Sequence, residues 1–122
     1  FPEGTRSKTG GLLRGQPGLA HIAISTGVPV VPFALTGSES LRNPLRVLKP
    51  TATLKLKIGK PFVARGAAGR PSRKTASAVT TEIMARISRM LPEGKRGEYP
   101  GPDETELTET VDYIPSPTGG NV

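Results

Sequence analysis

An uninterrupted apolar run that directly follows a short helical pattern constrains the fold of this chain more than any other feature. The run covers residues 28–35 and has the length and composition of a strand buried on both faces. Before it, residues 16–26 repeat apolar positions with helical spacing, and Gly27 suits the left-handed position just past a helix end. Pro29 and Pro32 each remove a ladder donor, so we expect Pro29 at the start of the strand and Pro32 at a bulge or an unpaired edge. A helix followed by a buried strand indicates an α/β fold.

A second strand is predicted over residues 51–58, where apolar and polar side chains alternate strictly. This alternation is typical of a half-buried strand, and the sequence Gly59-Lys60-Pro61 ends it. The basic, proline-containing residues 42–50 before it indicate a surface loop, and the Gly/Ala/Arg/Pro residues 64–72 after it indicate a linker.

A second helix is predicted over residues 72–91, with Ser72 as its N-terminal cap and Pro92 as its stop. Arg86 and Arg89 are placed to face water on this helix. Its apolar stripe consists of residues at helical spacing, namely Val79, Ile83, Ile87, Met90 and Leu91.

Composition excludes several kinds of site in this 122-residue chain. It has no cysteine, which rules out disulfides, thiolate metal sites and a cysteine nucleophile. Its one histidine, His21, excludes a multi-histidine metal site built from this chain alone. No apolar stretch in the sequence reaches the length needed to span a bilayer. With no tryptophan and three phenylalanines, the core must be mainly aliphatic.

Charge is distributed very unevenly along the chain. Residues 1–97 hold 17 basic and four acidic residues, a net charge of +13, and residues 98–122 hold six acidic residues and no basic residue. The basic part favours anionic partners such as phosphates, nucleic acid or an acidic membrane surface. The acidic, Pro/Gly-rich part is predicted to be disordered. A weak docking helix carrying Leu107, Val111 and Ile114 is the alternative, because these residues have helical spacing.

The segment Glu3-Gly4-Thr5-Arg6-Ser7 is the candidate binding motif. The planar guanidinium of Arg6 can donate two parallel hydrogen bonds to a phosphate. Gly4 permits a tight turn and a close approach of the backbone to a ligand. The hydroxyls of Thr5 and Ser7, with nearby backbone N–H groups, could complete an anion nest. Glu3 either orients Arg6 or accepts a hydrogen bond from a substrate hydroxyl; the alternative is an ordinary polar turn in which these two residues pair on the surface.

The sequence argues against a P-loop and against a catalytic role for His21. The candidate binding motif lacks the Gly-x-x-x-x-Gly-Lys-[Ser/Thr] spacing of a P-loop. His21 lies inside the first predicted helix, and no aspartate precedes Asp103 to orient it, so we expect a packed or half-exposed helix residue rather than a catalytic base.

The segment Phe1-Pro2-Glu3-Gly4-Thr5-Arg6-Ser7 resembles the third conserved block of the glycerolipid acyltransferases, a family that includes the 1-acyl-sn-glycerol-3-phosphate acyltransferases. Residues 27–35 resemble the fourth block at the right separation, and residues 18–23 are similar to the helix between these blocks. Residues 58–62 and 91–99 resemble the ends of family members. The resemblance implies that residues 1–97 are the C-terminal half of a glycerol-phosphate acyltransferase-like domain, with a partial mixed sheet and flanking helices, and that residues 98–122 are a disordered tail.

The resemblance also implies a reaction, partners and a site. A fatty acyl group passes from acyl-CoA or acyl carrier protein, as co-substrate, to the hydroxyl of lysophosphatidate or a related glycerol phosphate, and no bound cofactor or metal is expected. The substrate-binding residues would be Glu3, Gly4, Thr5, Arg6 and Ser7, which bind the phosphate and glycerol end of the acceptor, and Pro32, which helps to shape the site. The expected location is the cytoplasmic face of an anionic membrane, either peripheral or anchored by an N-terminal segment outside this sequence, with no nucleic-acid partner.

This sequence departs from the family in one respect that matters for catalysis. The first family block is His-x-x-x-x-Asp, in which the histidine is the general base, but Thr26 stands five residues after His21. The second block is missing too, so we expect the base upstream and no catalysis by this chain alone. Two alternatives stay open: a basic module that binds RNA or anionic membrane, and a family member that has kept binding and lost catalysis.

Overall fold

The computed structural model describes residues 2–5, 7–38, 53–66, 70–99 and 107–115. Arg6 and the loop predicted over residues 42–50 lie outside the described residues. The described residues form two helices, α1 (Gly18–Thr26) and α2 (Arg73–Met90), and a short 3-10 turn (Glu93–Lys95). They also form four strands: β1 (Phe33–Thr36), β2 (Lys55–Ile58), β3 (Phe62–Ala64) and β4 (Thr110–Asp112).

Helix α1 confirms the first predicted helix, with a start two residues later than expected. Pro17 precedes its first residue, and Gly27 follows its last with φ of 64° and donates its N–H to the carbonyl of Ala23 at 3.0 Å. Glycine is favoured at this left-handed position because it lacks Cβ. Ala20 and Ile24 are buried on the inner side of α1, against α2.

The apolar run after α1 is only partly a strand, and it is not buried on both faces as the sequence predicted. Strand β1 covers its last residues and pairs antiparallel with β2, whereas Val30 forms an isolated bridge with Phe62. Phe33 and Leu35 are 60% and 51% exposed. The prediction was wrong because only the opposite face, which carries Ala34, is covered by other described residues.

A bulge separates these two pairings, at the position where the sequence placed Pro32. Two residues lie between Val30 and Phe33, but three lie between their partners Phe62 and Ile58, so the extra residue belongs to Gly59-Lys60-Pro61. The N–H of Gly59 donates to the carbonyl of Pro32 at 2.8 Å. Residues four apart in a regular strand share a face, yet Ile58 is 69% exposed and Phe62 is fully buried. The bulge therefore turns β3 toward the core.

Strand β2 is shorter than predicted, and the expected half-burial is wrong. Leu54, Leu56 and Ile58 share a face, as the alternation indicated, but each is more than half exposed. No described element packs on this face of the β1–β2 pair. Residues 51 and 52 of the predicted strand lie outside the described residues.

Helix α2 confirms the second predicted helix and its cap, because the Ser72 hydroxyl accepts the N–H of Thr75 at 3.1 Å. The helix ends at Met90, before Pro92. Val79 and Ile83 from the predicted stripe are buried, whereas Ile87, Met90 and Leu91 are only partly buried. The main core cluster joins both helices and β3, and it consists of Ala20, Ile24, Phe62, Val79 and Ile83.

The prediction that Arg86 faces water is wrong, and Arg89 is only partly exposed. The Arg86 side chain is 11% exposed, and its guanidinium carbon lies 4.6 Å from the centre of the Phe62 ring. Its Nη1 donates to Oδ1 of Asp112 at 2.6 Å, and its Nε donates to Oγ1 of Thr110 at 3.0 Å. Spacing on the helix could not reveal this, because the partners come from a strand more than 20 residues away.

Residues 107–115 form a strand segment within the part of the chain that was expected to be disordered, so the alternative of a docking helix is wrong. Strand β4 pairs antiparallel with β3, with Val63 opposite Val111. Glu82, 7% exposed, holds the start of this segment: its Oε1 accepts the N–H groups of Thr108 and Glu109, each at 2.8 Å. The rest of the tail after Tyr99 lies outside the described residues, and the domain boundary at residue 97 stays a prediction.

The α/β class is confirmed. Both strand pairs of the described residues are antiparallel, whereas a partial mixed sheet was expected. Neither of the two described α-helices combines the length and apolar character required to cross a membrane.

Candidate functional site

Residues 2–5, which include the described start of the candidate binding motif, form a turn that two hydrogen bonds hold against Leu13 and Gln16. The N–H of Gln16 donates to the carbonyl of Pro2 at 2.7 Å, and the N–H of Leu13 donates to Oε2 of Glu3 at 3.0 Å. Gly4, the residue after these two anchors, adopts φ of +69°. A side chain in this left-handed region costs about 1 kcal/mol, so the turn favours glycine at this position.

Glu3 therefore has a structural partner that the sequence did not reveal. One of its carboxylate oxygens fixes the backbone of Leu13, ten residues away. Its other oxygen, Oε1, has no hydrogen bond to any of the residues that the structure describes. Since Arg6 lies outside these residues, both the orientation of Arg6 by Glu3 and the acceptance of a substrate hydroxyl stay predictions.

The turn lies beside the N-terminus of α1, and together they line a depression of about 230 Å³. The lining residues are Pro2, Gly4, Gln16, Gly18 and Leu19. No side chain caps this end of α1, and its first turn carries no acidic residue. The first backbone N–H groups of a helix have no partner within the helix, and the helix dipole places partial positive charge there. The depression therefore has the electrostatic character that favours an anion.

Ser7 and Thr5 differ in how far the structure supports their predicted role. The Ser7 hydroxyl accepts the N–H of Gly10 at 3.0 Å and lies 3.2 Å from the Thr9 hydroxyl, so it organises the turn that follows the motif. Thr5 is exposed. Neither residue lines the depression next to Gly4.

The segment behind the motif is fixed by the end of α2 and the turn after it. The N–H of Leu12 donates to the carbonyl of Lys95 at 3.1 Å, and the N–H of Gly15 donates to the Tyr99 hydroxyl at 3.1 Å. A Cβ on Gly15 would lie 2.6 Å from Cγ of Met84 and 2.8 Å from Cγ2 of Thr80, so any side chain here would force these residues to move. Tyr99 belongs to the segment that resembles the ends of family members, and here it supports the candidate site.

The remaining predicted residues lie apart from this depression. Pro32 lines a different, larger cavity beside Gly59 and the end of α2. His21 is a partly exposed residue of α1 whose N–H donates to the carbonyl of Pro17, as expected for a helix residue. Within the described ranges, no three metal-ligating side chains are grouped so that they could hold an ion.

Sequence reasoning missed Gln16 and Gly18 as lining residues of the depression. The sequence did carry a signal for these two residues, because they flank Pro17, which indicates the start of a helix. No side chain caps this helix start. What the sequence could not show is that the motif folds back onto this helix start.

Part of the chain matches a known protein family. The family model described as Acyltransferase matches residues 1–36, which contain the candidate motif, α1 and β1. This match supports the resemblance to an acyltransferase for this segment, and the names of the similar proteins support the glycerolipid branch.

The chain is similar to proteins named 1-acyl-sn-glycerol-3-phosphate acyltransferase. That of Cocos nucifera is 51% identical over 57 residues, which cover 45% of this chain and 18% of that protein. That of Limnanthes douglasii is 50% identical over 39 residues, 32% of this chain and 14% of that protein. That of Escherichia coli (strain K12) is 44% identical over 43 residues, 35% of this chain and 18% of that protein. The chain thus matches less than a fifth of the length of these relatives, and no solved structure matches it significantly.

Proposed function

We propose that this chain supplies the acceptor-binding part of an O-acyltransferase of phospholipid biosynthesis. The acyl group of acyl-CoA or acyl carrier protein would pass to the free hydroxyl of 1-acyl-glycerol-3-phosphate and give phosphatidate. The observation that carries the proposal is the depression shared by Gly4 and the uncapped start of α1, within the segment that matches the family.

The acceptor phosphate is assigned to this depression. Backbone N–H groups at Gly18 and Leu19 supply partial positive charge, and Arg6, adjacent in sequence to the described turn, supplies a full charge and a bidentate fork. Gly4 keeps the wall free of a side chain at the point of closest approach. Oε1 of Glu3 and the exposed Thr5 hydroxyl are assigned to the glycerol end, and Ser7 to the shape of the following turn.

Pro32 contributes in this proposal through the strand that it precedes rather than by contact with the phosphate. It lies directly before β1 and outside the lining of the depression. Its carbonyl fixes Gly59, and through this bond it fixes the pairing of β1 with β2.

The reaction also needs a base, which we assign to a part of the enzyme other than these 122 residues. The acceptor hydroxyl oxygen attacks the thioester carbonyl carbon while its proton passes to the base. The C–S bond then breaks, and the sulfur takes a proton from the base as the thiol leaves. The histidine of the family's His-x-x-x-x-Asp block performs this role, and Thr26 takes the aspartate position relative to His21. The chain by itself is therefore expected to bind the acceptor weakly and not to transfer acyl groups.

We further propose that the active face meets an anionic membrane surface, since both acceptor and product are amphiphiles. The net charge of +13 in residues 1–97 supports this location. The exposed apolar face of the β1–β2 pair, which carries Phe33, Leu35, Leu56 and Ile58, also supports it.

Calorimetric titration with glycerol 3-phosphate tests the proposed site on the full 122-residue chain. Arg6→Ala is expected to weaken binding about tenfold or more, because a charge-assisted bidentate contact is lost. Gly4→Ala is expected to weaken binding by a smaller factor through strain in the turn. Arg14→Ala is the matched control, since Arg14 is an exposed arginine of the same segment that does not line the depression.

Equal affinities of the Arg6→Ala and Arg14→Ala chains would move the phosphate site elsewhere and contradict the proposal. In the complete enzyme, Arg6→Ala should raise the acceptor KM and leave the donor KM unchanged. This second measurement separates a role in acceptor binding from a general loss of folded protein.

A further inference from the structure

The backbone of residues 12–16 lies between two segments of the fold and donates hydrogen bonds to both. On one side it holds the candidate motif. The N–H of Leu13 donates to Oε2 of Glu3 at 3.0 Å, and the N–H of Gln16 donates to the carbonyl of Pro2 at 2.7 Å. These two bonds hold the turn that carries the proposed acceptor site.

On the other side, the same backbone is held by residues 95–99, named here the clamp. The N–H of Leu12 donates to the carbonyl of Lys95, and the N–H of Gly15 donates to the Tyr99 hydroxyl, each at 3.1 Å. Along this short stretch of backbone, the N–H groups that bind the clamp thus alternate with those that bind the motif. The position of the motif therefore depends on the position of the clamp.

Tyr99 makes its clamp bond with a side chain, so this bond depends on the type of residue, whereas Lys95 contributes a carbonyl that any residue has. The backbone of Tyr99 is itself fixed at two points. Its carbonyl accepts the hydroxyl of Ser88, a fully buried residue of α2, and its N–H donates to the carbonyl of Arg96 at 3.1 Å. A rigid ring on this fixed backbone holds the hydroxyl in place.

Gly15 passes this position on to the wall of the acceptor depression. It has no side chain that could fix it, and it packs closely against α2. The next residue, Gln16, lines the depression together with Gly4, and a Cβ on Gly4 would lie 3.4 Å from Cγ of Gln16. A shift of Gly15 would therefore move one wall of the depression relative to the other, and a misplacement of about 1 Å is enough to impair a binding site.

We infer that Tyr99 is a positioning residue of the proposed acceptor site: its hydroxyl holds Gly15 and thereby sets the distance between Gln16 and the turn at Gly4. The inference rests on the proposed function, because it assigns the acceptor to that depression. Tyr99 does not line the depression, and it lies outside the residues 1–36 that match the family model. The acceptor site thus needs a side chain that the matched segment does not contain.

Calorimetric titration of the full 122-residue chain with glycerol 3-phosphate tests this role. Tyr99→Phe removes the phenolic oxygen and keeps the ring, and we expect it to weaken binding about fivefold, the effect of about one net hydrogen bond. Tyr113→Phe is the matched control, because Tyr113 is the other tyrosine of the chain and is 40% exposed. It is expected to change the affinity by less than about twofold.

Hydrogen exchange without ligand separates positioning from a general loss of stability. Tyr99→Phe is expected to speed exchange several-fold at the amides of Gly15 and Gln16, and to leave the middle of α2 unchanged. Tyr113→Phe should leave all of these amides unchanged. Equal acceleration throughout α2 would assign Tyr99 to the stability of the whole fold and overturn the inference.

Tyrosine fluorescence gives a direct signal from the clamp, since the chain has two tyrosines and no tryptophan. In the Tyr113→Phe chain Tyr99 is the one remaining tyrosine, and its emission should change as glycerol 3-phosphate binds. In the Tyr99→Phe chain the emission of Tyr113 should stay constant. Binding that leaves the emission of Tyr99 constant would contradict the coupling between clamp and site.

Ser88→Ala tests the support of Tyr99 from α2. It removes the hydroxyl that holds the Tyr99 carbonyl, so binding of glycerol 3-phosphate should weaken in the same direction and by a smaller factor. Ser77→Ala, at an exposed position of the same helix, is its control. Equal affinities of these two chains would contradict this support.

Failure of the inference and failure of the proposed function give different results. Equal binding by the Tyr99→Phe and Tyr113→Phe chains, with binding still dependent on Arg6, would overturn the role of Tyr99 and leave the acceptor site in place. Binding that does not depend on Arg6, or no binding by the unaltered chain, would contradict the proposed function and the inference with it.

Discussion

The two strand pairs share an antiparallel arrangement and a similar share of apolar residues, yet one is much more exposed than the other. In the β1–β2 pair, Phe33 lies opposite Ile58 and Leu35 opposite Leu56, and all four are between 51% and 69% exposed. In the β3–β4 pair, Phe62 is fully buried and even the polar Thr110 is 3% exposed. Apolar content therefore does not decide which pair is buried.

Both pairs contact α2, and the difference lies in which side chains of the two helices pack against each pair. The β3–β4 pair lies where α2 offers an apolar contact for Phe62 and two charged anchors, Glu82 and Arg86, for the polar groups of β4. Because each buried polar atom of the described side chains has a hydrogen-bond partner, this polar strand can be buried without an unsatisfied group. The β1–β2 pair meets α2 with one face alone.

The largest expected difference in the free energy of unfolding is between alanine variants of two phenylalanines, Phe62 in β3 and Phe33 in β1. Phe62→Ala is expected to lower the free energy of unfolding by about 3–5 kcal/mol, because it empties a fully buried site between both helices. Phe33→Ala, at a position 60% exposed, is expected to cost less than about 1 kcal/mol. Urea unfolding followed by circular dichroism measures both.

Equal destabilisation of these two variants would contradict the claim that the β3–β4 pair is buried and the β1–β2 pair exposed. Such a result would mean that the exposed face of Phe33 is covered in solution, for instance by self-association. Repeating the Phe33→Ala measurement over a range of protein concentrations would detect that.

Removal of the Glu82 carboxylate has the next largest expected effect. Glu82→Ala leaves the N–H groups of Thr108 and Glu109 and the Thr110 hydroxyl without their acceptor, so we expect a loss of about 3 kcal/mol. Glu82→Gln keeps one acceptor oxygen and is expected to cost about half as much. Glu93→Ala, at an exposed acidic residue, is the control.

Hydrogen exchange locates the Glu82 effect. Loss of protection should be largest at Val111, opposite Val63, and at Tyr113, whose N–H donates to the carbonyl of Pro61, since β4 depends on this anchor. It should be smallest in α1. Uniform loss across both helices would instead assign Glu82 to the stability of the whole core.

The smallest expected effect is the change in stability at low pH that comes from the Asp112–Arg86 ion pair. The hydrogen bond from Arg86 lowers the pKa of Asp112 from its ordinary value of 3.8. The pair therefore contributes stability above about pH 4 and loses it as the pH falls through the lowered pKa. Asp112 is 47% exposed, so the contribution is within about 0.5 kcal/mol.

Asp112→Asn should thus reduce stability slightly at pH 7 and leave it unchanged at pH 2, relative to the unaltered chain. Urea unfolding at the two pH values measures this difference. Glu98→Gln, at an exposed carboxylate, is the control. A larger loss at pH 2 than at pH 7 would contradict the direction of the pKa shift.

Local signals in the sequence predicted the elements well. Gly27 marked the end of α1, Ser72 marked the start of α2, and Gly59-Lys60-Pro61 marked the end of β2. Each of these depends on the chemistry of one or two neighbouring residues. The turn at Gly4 was foreseen for the same reason.

Contacts between distant segments were not predictable in this way. Nothing near Arg86 in the sequence reveals that Asp112 accepts its hydrogen bond, and nothing near Glu3 points to Leu13. The acidic composition around β4 even predicted disorder, because composition does not show that Glu82 offers a carboxylate to the backbone N–H groups of that segment. The position of the candidate depression depends on one such contact, between Pro2 and Gln16.

The bulge has a consequence for how this region can change over evolutionary time. The three residues Gly59, Lys60 and Pro61 lie opposite two residues of the partner segment. This one extra residue decides which side chains of β3 point toward the core. Deletion of any one of the three would present Phe62 to water and its neighbour Val63 to the helices. Substitution of the exposed Lys60 is expected to cost little stability, whereas a change of one in the number of residues in this segment would reverse β3.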